Sequence, residues 1–142
     1  MMRKITVFLL VMALSVAMIV PAFADVHGGW DEDTGYFKTK LVNRDSLNIK
    51  LSAQNDPKHT GKREREDIDG TTNYRAHGWT TWVDVYHYTR ARMEERNIFG
   101  QLKRVLTDSG QQYGTSGTEA KSPWWPFDPD VNEKARTYYG RP

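Results

Sequence analysis

Four histidines and no cysteine are present in the 142 residues, so acid–base or metal chemistry has to be sought around imidazole and carboxylate. His87 lies between Tyr86 and Tyr88 and close to Asp84. That setting suits either a titrating group in a cleft or a hydrogen-bonded histidine on a half-buried strand. On one extended strand face His77 and His87 would stand more than about 30 Å apart, so the two cannot share a metal ion. Asp25-Val26-His27 offers a sharper metal site. Were the chain cleaved after Ala24, the free α-amine, two deprotonated peptide nitrogens and the His27 imidazole would supply four nitrogens in a plane. Such ligation suits Cu(II) or Ni(II). No nucleophile elbow, phosphate loop, zinc-binding helix pair or cysteine metal motif occurs. No acid, base and nucleophile can be assembled from local spacing, and the chain reads as a non-enzyme.

Aromatic residues carry the other candidate chemistry, that of contact. Trp82, Tyr86 and Tyr88 would share one face of an extended segment, opposite Trp79, Val83, Val85, His87, Ala91 and Met93. Ser122-Pro-Trp-Trp-Pro-Phe-Asp-Pro-Asp130 holds Trp124, Trp125 and Phe127 among three prolines, which fix φ, remove donors and exclude a regular element. Exposed, this segment would be an aromatic wedge for a membrane interface or a sugar face; folded back, it would lid a small core. Arg90, Arg92 and Arg136 could cluster among tyrosines, although Glu94 and Glu95 are near enough in sequence to make a solvated, charge-balanced face.

The elements that must position these residues follow an expected leader. Met1-Met2-Arg3-Lys4 is basic, residues 5–20 carry no charge, and Pro21-Ala22-Phe23-Ala24 has the small-x-small pattern of a signal-peptidase site. Together these predict a signal peptide over 1–24, too short and too well followed by a cleavage site to serve as a permanent membrane anchor. The chain has 20 Lys+Arg and 18 Asp+Glu; losing Arg3 and Lys4 (20 − 2 = 18) balances the charges. A nucleic-acid partner is therefore not expected. Residues 25–142 suffice for a single exported domain with one modest core, held by aromatic burial rather than disulfides.

Residues 25–34 read as irregular and 36–42 as a strand. Residues 46–52 alternate, with Leu47, Ile49 and Leu51 on one face, which predicts a hairpin. Residues 54–73, with their charge run 62–67, read as a solvated connection. Residues 78–93 are dense in Thr, Val, Trp and Tyr and predict a long strand, with a bulge near 84–87. Residues 94–100 read as a turn and 102–106 as the return strand. Helical spacing of Ile98, Phe99, Leu102, Val105 and Leu106 leaves a helix over 93–106 as the competing reading. Residues 113–120 and 133–139 predict two further strands, the last with Ala135, Thr137 and Tyr139 on one face.

The half from Trp79 to Tyr139 resembles the lactococcin 972 family of secreted bacteriocins. The resemblance rests on the leader, a tryptophan-containing stretch, Tyr86-His87 opening a strand that reaches Ala91, a Ser109-Gly110 turn, Gly117 leading to Ala120, and Glu133-Lys134-Ala135 before Tyr138-Tyr139. The chain departs from the family in its greater length, the segment before Trp79, and the Trp-Trp-Pro-Phe insertion. The resemblance implies a compact β-sandwich, no cofactor, and action on the envelope of competing bacteria; no catalytic residues carry over. The expectation is thus an all-β protein, a small antiparallel sandwich preceded by a cleaved N-terminal signal helix. Its partner would be the bacterial cell envelope or a cell-wall component. Trp82, Tyr86, Tyr88, Trp124, Trp125 and Phe127 would be its contacts. The other reading is a secreted module that binds wall polysaccharide or a surface protein.

Overall fold

The computed structural model describes residues 27–39 and 56–142. The leader, Asp25, Val26 and the alternating segment 46–52 lie outside the described residues. Eight strands follow in order: β1 His27–Asp31, β2 Gly35–Thr39, β3 Lys58–Ile68, β4 Thr71–Arg96, β5 Leu102–Asp108, β6 Gln112–Lys121, β7 Trp125–Pro126 and β8 Glu133–Gly140. Among the described residues there is no helix. The fold is all-β and antiparallel, a single sheet in the order β2-β1-β8-β4-β3, with β5, β6 and β7 also paired to β4.

β4, 26 residues long, is the spine. Its first half pairs with β3 and its second with β8, while β6 spans both halves. The sheet curls at the middle of β4, so β1 and β8 come to lie against β3. Glycine permits the approach. Gly61 and Gly78 face each other across β3–β4; a Cβ at Gly61 would lie 2.5 Å from the Trp30 ring, and one at Gly78 2.8 Å from the Thr137 side chain. Neither position accommodates a side chain.

The core between the layers is made of small and polar groups. Ala76, Ala91, Met93, Ala120 and Ala135 form its apolar centre, flanked by Trp30, Tyr74, Leu106 and Trp125. Thr80, Thr89, Thr137, His59 and His87 are buried beside them. Aliphatic bulk is scarce, so close approach and aromatic contact replace it.

Two regions expected to be irregular are strands. Residues 27–31, within the first of them, form β1. Most of the expected solvated connection is β3, including the whole run Lys62 to Asp67. Strand geometry supplies partners to most charges in that run. Arg75 lies opposite Glu64 in the register and donates to it at 2.6 Å; Lys62 also reaches Glu64, at 2.8 Å. Arg63 points into the curl, bonds Glu32 and Glu133, and lies 3.8 Å from the Tyr74 ring centre. Asp69 and Gly70 both have positive φ, 50° and 78°, so Asp-Gly is the two-residue turn that closes a β3–β4 hairpin. The return strand after the 97–101 turn is β5, which decides against a helix over 93–106.

Candidate functional site

The middle of β4 sets what the molecule shows to its surroundings. Trp82 pairs with Ser116 and Tyr86 with Thr115. Val83, Asp84 and Val85 therefore have no rung, and the bulge adds three residues to one strand. An odd insertion reverses which face a side chain takes. Before it, Ala76, Gly78, Thr80 and Trp82 point inward; after it, His87, Thr89, Ala91 and Met93 do. The expected face of Val83, Val85, Ala91 and Met93 is thus corrected: Val83 is 55% exposed and Ala91 is fully buried. Trp82, expected to be a contact, is 5% exposed. It packs edge-on to Tyr139, with the Arg141 guanidinium 5.9 Å from its ring centre.

Tyr86 and Tyr88 do face outward, and β6 adds Tyr113 to them. Tyr86 and Tyr113 stack with ring centres 5.5 Å apart and planes 15° from parallel, and Tyr88 meets Tyr113 edge-on at 5.8 Å. Tyr86 is 55% exposed and Tyr113 44%. Beside the array, Asp84 and Ser116 hold positive φ angles of 59° and 76°. The Asp84 N–H donates to the Ser116 hydroxyl at 3.2 Å, tying the two strained residues across the bulge. Strain of this kind costs about 1–3 kcal/mol per residue and persists where the surrounding structure imposes it.

The Trp-Trp-Pro-Phe segment folds back on the beginning of β4. Trp125 and Pro126 pair with Tyr74 and Asn73. Trp125 packs against the core, Phe127 meets Tyr74 edge-on at 6.0 Å, and Trp124 lies over Arg75 at 4.2 Å. Of the three, Phe127 keeps the broadest exposure, 49%. The segment is a lid with one aromatic edge open, and it is separate from the tyrosine array.

The histidines divide by face. His87 is fully buried and bonds the Val85 carbonyl at 2.7 Å, with the Thr80 carbonyl at 3.4 Å; it fastens the bulge to the strand. His77 lies on the outer face against Trp79, with Glu64 at its Nδ1 (2.7 Å) and Glu119 at its Nε2 (2.5 Å). Burial acts to raise the Glu64 pKa, but hydrogen bonds from His77, Lys62 and Arg75 outweigh it and hold the carboxyl down at about 2. Each ring nitrogen takes a different carboxylate. Among the described residues no three His, Asp or Glu side chains form a metal-binding group. Of the expected N-terminal copper or nickel ligands only His27 is described; it opens β1, with its Nδ1 against Gly140.

His59, on the strand that the sequence does not reveal, is the centre of a buried chain of hydrogen bonds. Its Nε2 meets the Thr137 hydroxyl at 2.8 Å and its Nδ1 the Thr80 hydroxyl at 2.8 Å. Thr80 continues to Thr89, and Thr89 to Thr118, at 2.6 Å each. Burial lowers the His59 pKa from 6.5 to about 4, so the ring is neutral near pH 7. The chain ties β8, β3, β4 and β6 together through groups that would each be costly to bury alone.

The arginines do not form a free basic patch. Arg90 grips Asp108 through two nitrogens and Arg92 bonds the same carboxylate at 3.0 Å. Burial acts to raise the Asp108 pKa, and these guanidinium groups with the Gly110 N–H overcome it, holding it at about 2. Arg136 forms an ion pair with Asp31, N to O 3.0 Å, rather than with a β4 glutamate. Glu94, fully buried, accepts from Arg96 and from the Tyr138 hydroxyl; burial and that bond raise the Tyr138 pKa to about 12.

No family model, curated protein or solved structure matches the chain.

Proposed function

We propose that this chain is an exported, non-enzymatic protein of bacteriocin-like type that acts on the bacterial cell envelope by binding. The observation that carries this reading is the outward array of Tyr86, Tyr88 and Tyr113, raised on a strained three-residue bulge. Half-exposed stacked rings present apolar area with little side-chain freedom to lose on binding. The Gln111 amide, which accepts from the Tyr113 hydroxyl at 2.8 Å, supplies a polar group beside that area. The all-β antiparallel architecture agrees with what the resemblance to the lactococcin 972 family implies. The leader reading supports export, with the mature chain beginning at Asp25.

The same array favours a second reading, a module that holds wall polysaccharide without harming the cell, since an aromatic surface edged with hydrogen-bonding groups suits a sugar face. One experiment separates the two. Purified residues 25–142 are added to a panel of Gram-positive strains and, in parallel, to isolated cell walls. Growth inhibition lost in Tyr86→Ala/Tyr113→Ala supports the first reading. Wall retention with unaffected growth supports the second, and neither inhibition nor retention overturns both.

A further inference from the structure

The two most exposed large apolar residues of the described chain are adjacent, at the tip of the β4–β5 hairpin. Ile98 is 91% exposed and Phe99 80%, and Leu102 and Val105 follow on β5 at 48% and 38%. A solvated turn of an exported protein would normally carry polar residues here. Among the described residues nothing covers these side chains, and the turn that holds them outward is thoroughly braced. The Asn97 side-chain oxygen accepts from the Phe99 and Gln101 N–H groups at 2.9 Å each. Its amide donates to the Gln101 side chain at 2.8 Å. Gly100 donates to the Asn97 carbonyl at 2.9 Å, and Asn97 to that of Gln101 at 3.0 Å. The Arg96 guanidinium caps the Gly100 carbonyl at 2.9 Å. Asn132 locks the base of the hairpin through both its backbone oxygen and its side chain, at 3.0 Å each.

Two features ease entry into lipid. Four of the five N–H groups from Asn97 to Gln101, those of Asn97, Phe99, Gly100 and Gln101, are already bonded, which lowers the cost of taking the turn into an apolar phase. The residues from Asn97 to Leu102 are also uncharged. Cations stand at the next level, Arg96 paired with Leu102 in the register and Lys103 and Arg104 beyond it. Three residue steps through the turn separate Phe99 from that rung, at most about 10 Å were they fully extended, and the apolar side of an interfacial element sinks about 5–10 Å. The tip would then lie among acyl chains while the cations sit at the level of the phosphates. Lys103 and Arg104 keep 65% and 58% of their side chains exposed although both reach Glu95, and with Glu94 taken by Arg96 these two exposed cations share one carboxylate.

We infer that the 97–102 hairpin tip docks the protein on an anionic phospholipid surface, Ile98 and Phe99 inserting and Lys103 and Arg104 meeting the phosphates. This site is distinct from the tyrosine array and stands whether or not the array binds wall. The test is co-sedimentation of residues 25–142 with vesicles of mixed phosphatidylglycerol and phosphatidylcholine, and with phosphatidylcholine alone. Binding is expected on the mixed vesicles, weaker on the neutral ones and weakened by salt. Ile98→Ser/Phe99→Ser is expected to lose at least about tenfold in partitioning with an unchanged melting temperature, since both side chains are already in water. Phe99→Trp gives an independent reading in an otherwise intact tip. The emission it adds to that of the parent chain should shift to the blue with vesicles and be quenched by brominated acyl chains. Absence of sedimentation, equal binding by the serine variant, or an added emission in Phe99→Trp that vesicles leave unmoved overturns the proposal. So does self-association in solution that the serine variant abolishes, which would make a second copy the occupant.

Discussion

The two halves of β4 are one strand with opposite conventions. From Thr71 to Trp82 even-numbered positions from Tyr74 on face the curl and odd-numbered ones such as Arg75, His77 and Trp79 face out; from Tyr86 to Met93 the convention is reversed. The first half is lined inside by Ala76, Gly78 and Thr80 and sealed outside by ion pairs. The second is lined by His87, Thr89, Ala91 and Met93 and opens outside onto tyrosines. Three unpaired residues, rather than any change in composition, decide which aromatic rings become core and which become surface. Trp82 and Tyr86 would share a face in an unbroken strand; in the molecule one is packed against Tyr139 and the other is in water.

Changing the bulge count should have the largest effect. Deleting Asp84 alone leaves an even insertion, which turns Ala91 and Met93 outward and Arg90 and Arg92 inward. A loss above about 4 kcal/mol, seen as disappearance of a cooperative thermal transition, is expected. Deleting Val83 and Asp84 together leaves a one-residue bulge with the native parity, and this shorter chain is expected to fold. If the single deletion melts as cooperatively as the double, the parity account is wrong.

The adjacent pair at the end of the first half gives the next largest contrast. Trp82→Ala should cost about 3–5 kcal/mol by urea denaturation. Val83→Ala, one residue away and more than half exposed, should stay within about 0.5 kcal/mol.

His59 joins the halves through Thr80 and Thr89, and its titration is a way to sharpen how they are held. Its folded pKa, about 4, lies below the ordinary 6.5, so the unfolded chain takes up the proton first. Its contribution is complete above pH 6.5, declines as pH falls, and is gone below pH 4, a change of roughly 3 kcal/mol. Denaturation midpoints of the parent and of a His59 variant are compared between pH 7 and 5, where Glu64 and Asp108 are still ionised. His59→Gln should flatten that slope; an unchanged slope would assign it elsewhere. The effect on stability is also small at the surface array, where Tyr86→Ala should cost under about 0.5 kcal/mol while removing wall retention.

Much of this is legible in sequence where local chemistry decides. The Thr, Val, Trp and Tyr density of 78–93 marks the long strand and its irregularity, and the alternation of Ala135, Thr137 and Tyr139 marks the inner face of β8. Parity is not legible, because a bulge shows in composition only as a kink and its residue count depends on what β6 offers opposite. β3 escapes a sequence reading because Arg63, Glu64 and their neighbours look solvated until Glu32, Arg75 and Glu133 are brought beside them from distant positions. The Asp69-Gly70 turn is the available signal, and the charges around it mask it. Tyr113 goes unnoticed since only the register of β6 carries it to Tyr86. Ile98 and Phe99 read as part of the turn, with a helix as the competing reading, and their exposure emerges only once β5 is paired.

The hydroxyl chain through His59 has a directional consequence. A neutral imidazole has one N–H, and each threonine has one proton to give along the chain. Thr118, Thr89 and Thr80 can all donate toward His59, which then donates from Nε2 to Thr137, or every bond can point the other way with the proton on Nδ1. The ring's tautomer is thereby coupled to a threonine at the far margin of the sheet. Thr118→Val removes the terminal acceptor and selects the Nε2–H form; Thr137→Val removes the other end and selects Nδ1–H. Nitrogen NMR of one buried ring would thus report, as opposite signatures, on two methyl-for-hydroxyl exchanges made on different strands.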